Sequence, residues 1–135
     1  MATILVVDDE VDMRDVMFDL LALDGYEVVL ADDGEAAMER YRNTLPDLVI
    51  TDILMPGVDG IEFLEDLRAE FGDVPVIVMS GTGDINVVEK AAMATANRIL
   101  HKPFDADALL NAVAELIDSD SHDRESYSHH HYPIG

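Results

Sequence analysis

Short aliphatic and β-branched runs alternate along the chain with longer stretches whose apolar residues recur every three or four positions. Thr3-Ile4-Leu5-Val6-Val7 is apolar at nearly every position, as in a strand covered on both faces. It stops at Asp8-Asp9-Glu10, and from Val11 to Asp24 the residues Val16, Met17, Leu20, Leu21 and Leu23 fall at helical spacing. Gly25 is a suitable C-terminal stop for that helix. Tyr26 to Ala31 reads as a second strand, and 32–43 as a short helix with Asp32 and Glu35 spaced as in a capping box.

The alternation continues to the end of the periodic part of the chain. Pro46 breaks the backbone before a third strand, Asp47-Leu48-Val49-Ile50-Thr51-Asp52, and a turn follows in Met55-Pro56-Gly57-Val58-Asp59-Gly60. Asp59 and Glu62 bracket the start of a helix carrying Ile61, Phe63, Leu64 and Leu67. Val74 to Ser80 is a fourth strand, Gly81-Thr82-Gly83 a loop, and 84–94 a weakly amphipathic helix. Arg98-Ile99-Leu100-His101 is a short fifth strand ending at Lys102-Pro103. Phe104 and Leu109 flank Asp105 as a hydrophobic staple flanks an N-cap. Leu109, Leu110, Val113, Leu116 and Ile117 form the apolar stripe of the last helix. From Ser119 the apolar period ends, so 1–118 is expected to be one domain and 119–135 a mobile polar tail.

Five strand–helix repeats predict an α/β fold, a doubly wound parallel sheet with helices on both faces. Ligands in such folds sit beyond the carboxyl ends of the strands. The residues expected there are Asp8, Asp9, Asp52, Ser80 and Lys102. Each has an ordinary reading alone: the acids as helix caps or turn starters, Ser80 as a loop residue, Lys102 as a solvated strand end. Three carboxylates, a hydroxyl and a lysine on one sheet edge make that set of coincidences a poor account. Two carboxylates at 4 Å repel by about 4 kcal/mol at a surface-like effective dielectric. A hard divalent cation relieves this, and Mg²⁺ takes a few carboxylates together with waters and phosphate oxygens. A carboxylate in such a site can serve as a nucleophile toward phosphorus. A cation, an ammonium and a hydroxyl can then hold the equatorial oxygens of the transferred group.

Composition narrows the partners. The chain has 135 residues, 49% of them hydrophobic, which suits one folded domain. Eight basic side chains stand against 29 acidic ones, a net charge of −21. Direct binding to nucleic acid or to an anionic membrane is therefore not expected. The start lacks a basic n-region, so no signal peptide is expected, and the lack of cysteine fits a cytoplasmic protein. His129-His130-His131 reads as part of the polar tail rather than as a metal site.

Five blocks together resemble the signature of response-regulator receiver domains: Val6-Val7-Asp8-Asp9-Glu10, 47–52, 55–60, Met79-Ser80-Gly81 and His101-Lys102-Pro103-Phe104. The resemblance covers Thr3 to about Asp118. It implies a flavodoxin-like strand order of 2-1-3-4-5. It also implies that Asp52 accepts phosphate from a sensor histidine kinase or a histidine phosphotransfer protein. Mg²⁺ would be held by Asp9, Asp52 and the backbone carbonyl of Leu54, with Asp8 acting through a water. Lys102 would bind the phosphoryl group, Ser80 would close on it, and the Lys102–Pro103 peptide would be cis. The switch would act on a downstream protein through the face of the fourth helix, fifth strand and last helix, without being an enzyme toward other substrates.

The family's aromatic reporter position is held here by Ile99, and Leu54 and Thr82 hold the positions that tune hydrolysis. No output module is expected in 119–135, which is too short for a DNA-binding domain. A haloacid-dehalogenase-type phosphatase fits poorly, because its nucleophile follows the first strand and its general acid lies two residues on, where this chain has Leu54. A flavin site fits poorly too, since Asp8-Asp9-Glu10 would repel a phosphate. A degenerate receiver that works without phosphorylation remains as the alternative, opposed by the intact acceptor, acid pair, hydroxyl and lysine.

Leu54 generates a prediction of its own. Hydrolysis of a phospho-aspartate needs a water aligned opposite the leaving Asp52 oxygen, and an apolar side chain gives that water no hydrogen bond. Leu54→Asn is expected to speed dephosphorylation on the order of tenfold in a discharge assay. A wild-type decay as fast as that of the variant would refute the assignment.

Overall fold

A computed structural model of the protein describes residues 1–52, 60–81 and 96–128, without the side chains of Ile61 and of 119–128. The expected turn at 55–59, Leu54, Thr82, the expected helix over 84–94 and the stretch 129–135 lie outside the described residues. Five strands are described: β1 (Thr3–Val7), β2 (Glu27–Ala31), β3 (Leu48–Asp52), β4 (Val76–Ser80) and β5 (Arg98–His101). They pair in parallel in the order β2-β1-β3-β4-β5. The helices between them are α1 (Val11–Leu23), α2 (Gly34–Thr44) and α3 (Gly60–Phe71), followed by a C-terminal helix (Ala106–Ser128). The doubly wound fold and strand order expected from the sequence are those observed. No helix among the described residues is long and apolar enough to cross a membrane.

Alternation along each strand builds two cores. Leu5, Val7, Val49, Val76 and Val78 point to one face, where they meet Ala37, Met38 and Tyr41 of α2 and Phe63, Leu64 and Leu67 of α3. Ile4, Val6, Leu48, Ile50, Ile77 and Met79 point to the other, against Met17 and Leu21 of α1 and Leu109, Val113 and Ile117 of the C-terminal helix. Strands buried on both faces have no polar positions to spare, hence the unbroken aliphatic runs. Only part of the α1 stripe is buried: Val16 and Leu23 are 51% and 87% exposed, so the helix meets the sheet along a narrower line than its apolar content suggests.

Local chemistry ends the helices where it should, with one shift. After α1, the Gly25 N–H donates to the Ala22 carbonyl and the Tyr26 N–H to the Leu21 carbonyl, with Gly25 at φ 95°. This is a Schellman motif, and the left-handed position suits glycine. The cap of α2 is Asp33, not Asp32: its Oδ1 accepts from the Ala36 N–H at 2.7 Å. Two adjacent aspartates satisfy the same pattern one residue apart, and the second meets the helix N–H. Asp105 caps the C-terminal helix by accepting from the Ala108 N–H at 2.7 Å, with Phe104 packed on the core that contains Leu109. That helix continues ten residues past Asp118, where the apolar stripe ends. The stretch 119–128 holds neither Gly nor Pro, so nothing in it breaks the helical backbone. The C-terminal helix thus runs through Ser128, into the stretch 119–135 expected to be a polar tail.

The amino edge of the sheet is joined twice by one device. Asp47, just before β3, accepts the Thr3 N–H on Oδ2 at 2.8 Å and donates its own N–H to the Thr3 carbonyl at 2.8 Å. Asn97, just before β5, accepts the Val76 N–H on Oδ1 at 2.9 Å and donates its N–H to the Val76 carbonyl at 2.8 Å. Each residue closes a ring with the first residue of the neighbouring strand. Arg68 of α3 adds to the second staple through the carbonyls of Gly72 and Val74 and the Asn97 side chain.

Val76 is fully buried, so its N–H has no route to water once Asn97 is shortened. Asn97→Ala is expected to cost about 1–3 kcal/mol in urea denaturation. Leu23→Ala, on the exposed side of α1, is expected to stay within about 0.5 kcal/mol.

Candidate functional site

Parallel register delivers the strand ends side by side. Val7 pairs with Thr51, Asp52 with Met79 and Ser80 with His101, so Asp8, Asp52, Ser80 and Lys102 meet at the carboxyl edge of β1, β3, β4 and β5. Asp8 is fully buried, Asp52 and Ser80 nearly so. The Asp8 N–H continues the β1–β2 ladder by donating to the Ala31 carbonyl at 3.1 Å, and the Lys102 N–H donates to the Ser80 carbonyl at 2.6 Å. The Lys102–Pro103 peptide is cis, as the resemblance implies.

The centre of the site is the Lys102 ammonium. Its Nζ lies 2.9 Å from Asp52 Oδ2, 3.1 Å from Asp8 Oδ2 and 3.4 Å from Glu10 Oε1. Asp52 and Asp8 stand 50 and 94 residues from Lys102 in sequence and are brought to it only by the fold. Asp8 is held further by the Glu10 N–H, donating to its Oδ1 at 2.9 Å, and by Arg14 Nη1, donating to its carbonyl at 2.6 Å. Burial pushes the Asp8 carboxyl above its usual range, against the lowering pull of the Glu10 N–H and Lys102. Burial acts on Lys102 in the opposite sense, favouring loss of its proton, yet Asp52 and then Asp8 outweigh it and hold the ammonium well above its usual range. Lys102 therefore stays charged at neutral pH.

Three carboxylates, those of Asp8, Glu10 and Asp52, offer oxygens within 4.8 Å of one another. One ammonium among three carboxylates leaves an excess of negative charge, and an all-oxygen donor set of this size suits a hard divalent cation. Asp9 is not in this group; its side chain is exposed at the end of β1. Ser80 sits at the same edge, its Oγ donating to the Gly81 carbonyl at 3.2 Å. Ile99 lies one strand over, half-buried against the core beneath α2 and α3. Glu10 was not anticipated as a member of the site. Its only sequence signal was its place directly after two aspartates at a strand end.

The comparisons with known proteins agree with this geometry. A family model described as response regulator receiver domain matches residues 4–114. The chemotaxis protein CheY of Bacillus subtilis is 38% identical over 85% of this chain and 97% of its own length. The transcriptional regulatory protein FixJ of Bradyrhizobium diazoefficiens is 35% identical over 84% of this chain, which spans 56% of FixJ. The chain spans 25% of the C4-dicarboxylate transport regulator DctD of Pseudomonas aeruginosa, at 35% identity over 85% of this chain. The crystal structure of a response regulator receiver domain protein from Clostridium thermocellum superposes with a TM-score of 0.85 at 30% identity, covering 90% of this chain and 98% of that one. The matched segment runs from Ile4 of β1 through β2 to β5 and holds the acid cluster and Lys102, and the chain belongs to the response regulator receiver domain family, whose members act as phosphorylation-dependent signalling switches.

Proposed function

We propose that Asp52 accepts a phosphoryl group from a sensor histidine kinase or a histidine phosphotransfer protein, and that the modified chain controls a downstream protein. The observation that carries this reading is the Lys102 ammonium 2.9 Å from Asp52 Oδ2 at the end of a buried strand. Such an arrangement orients a carboxylate and supplies a fixed positive charge beside it. In the transfer, an Asp52 carboxylate oxygen forms a bond to phosphorus while the bond from phosphorus to the donor's leaving nitrogen or oxygen breaks. Lys102 holds one phosphoryl oxygen. Ser80 turns its hydroxyl from the Gly81 carbonyl to hydrogen-bond another.

Mg²⁺, when bound, neutralises charge on the phosphoryl oxygens. Its proposed ligands are Asp9, Asp52 and the Leu54 carbonyl, with Asp8 contributing through a water. The close approach of Asp8, Glu10 and Asp52 supports a cation at this edge. The proposed readout face comprises 84–94, β5 and the C-terminal helix. With Ile99 in place of an aromatic reporter, the signal is carried as a backbone shift following Ser80 rather than as a ring turning in or out. Ile99 is stiff at χ1 and has no polar tip to expose or hide.

Intact mass tests the acceptor. Incubation with acetyl phosphate and Mg²⁺ is expected to add one phosphate to the wild type and none to Asp52→Asn or to a sample treated with EDTA. Retained phosphorylation in Asp52→Asn would sink the assignment.

Charge in the pocket sets a stability test. A carboxyl whose folded pKa is raised contributes stability below its unfolded pKa and loses that contribution as pH rises through the folded value. Asp8 is such a group, so it opposes folding at neutral pH without a cation. Asp8→Asn is expected to raise Tm on the order of 3 °C without Mg²⁺. Mg²⁺ at ten times its Kd is expected to raise the wild-type Tm by about 4 °C, which corresponds to ~1.4 kcal/mol of linkage. A wild-type Tm that ignores millimolar Mg²⁺ counts against a cation site.

A further inference from the structure

The three carboxylates around Lys102 are not equivalent. The side chain of Asp8 is fully buried and that of Asp52 is 10% exposed, whereas that of Glu10 is 65% exposed. Asp8 and Asp52 ride on strand ends fixed by the sheet ladder. Glu10 is the N-cap residue of α1, in extended conformation, and its side chain makes no capping hydrogen bond. Its backbone is nevertheless tied down: the N–H donates to Asp8 Oδ1 and the carbonyl accepts from the Arg14 N–H at 3.1 Å. A pinned backbone with a solvent-facing carboxylate, held by a long contact to Lys102, describes a side chain able to swing without disturbing the site. Its contact with Lys102, at 3.4 Å, is also the longest of the three.

We infer that Glu10 is a displaceable counter-ion, which occupies the outer side of the Lys102 ammonium until a phosphoryl oxygen takes its place. This inference rests on the phosphorylation reading above and adds to it a residue that sets the rate of entry. Asp8, Asp52, Thr51 and Ser80 are all buried, so a donor reaches Asp52 from the solvent side, where Glu10 stands. The anionic donor meets a negative charge at the mouth of the site and must also replace it on Lys102. Glu10 takes no part in bond making or breaking. With acetyl phosphate, the Asp52 oxygen bonds to phosphorus and acetate departs with the electron pair of the broken P–O bond. Removing one unit charge about 6 to 12 Å from the charge centre of an approaching doubly charged donor is worth roughly three- to tenfold in rate at a water-like dielectric.

The test uses the full chain and follows phosphorylation by intact mass at saturating Mg²⁺. Wild type, Glu10→Gln and Glu10→Ala are compared with acetyl phosphate and with phosphoramidate, a less negatively charged donor. Both variants are expected to react roughly three- to tenfold faster than wild type with acetyl phosphate, and to gain less with phosphoramidate. Mg²⁺ affinity, read separately from the shift in Tm, is expected to weaken by no more than about tenfold, the through-space effect of losing one unit charge. A donor-dependent gain separates a charge effect from a general loosening of the site, which would speed both donors alike. Equal gains with both donors, or rates at or below wild type, overturn the inference. Mg²⁺ binding weakened by about a hundredfold or more, beyond what one distant charge accounts for, also overturns it by making Glu10 a metal ligand. Failure of the wild type to gain any phosphate overturns the phosphorylation reading itself.

Discussion

A carboxylate buried at the end of a central strand must be offset, and in this chain Lys102 does that. Asp8 has no exposure to water, and Asp52 stands beside it at the end of the neighbouring strand. An uncompensated buried charge costs several kcal/mol, enough to unfold a small domain or to leave the group neutral. The lysine comes from the far side of β4, after β5, and reaches back across the sheet edge to both acids. Its position depends on five strands lying in one order and register. The edge of the sheet and its charge balance are therefore one construction: neither exists without the other.

Charge also explains why the site opens where it does. α1 begins directly after Glu10, so the unpaired N–H groups and positive dipole end of the helix face the acidic edge. The Glu10 N–H and the Arg14 side chain each bind an oxygen of Asp8, on the carboxylate and the carbonyl respectively. Buried acids are thus surrounded by donors from a strand end, a helix start and a distant lysine. Of the eight basic side chains in this chain of net charge −21, those of Lys102 and Arg14 are committed to this edge.

Much of this was legible in the residues. The strand β1 falls where its apolar run placed it, because a strand buried on both faces leaves an unbroken aliphatic signature, while β5 is a partly exposed edge strand that nonetheless falls at Arg98–His101 as expected. Acids and a lysine at strand ends can be located from the strands alone, since a parallel sheet puts those ends in a row. Other features depend on packing that one-dimensional periodicity does not encode. Val16 and Leu23 carry the apolar period of α1 yet face solvent, because a cylinder touches a sheet along one line. Asp32 and Asp33 offer the same cap, and only the helix axis decides between them. Glu10 is one more acid in a sequence of 29, and its approach to Lys102 depends on the turn that starts α1. The last helix outruns its apolar stripe, because a stripe marks where a helix packs, while its backbone continues until something breaks it.

The paired staples of Asp47 and Asn97 give the sheet the mechanics of a hand fan. The ribs are riveted at the amino edge, where side chains lock β1 to β3 and β4 to β5 before the ladder begins. At the opposite rim the link across β1, β3 and β5 is electrostatic, through Lys102. The two rims thus carry different burdens: the joints on the handle side hold the ribs in register, and the charges at the far rim are left to answer to chemistry.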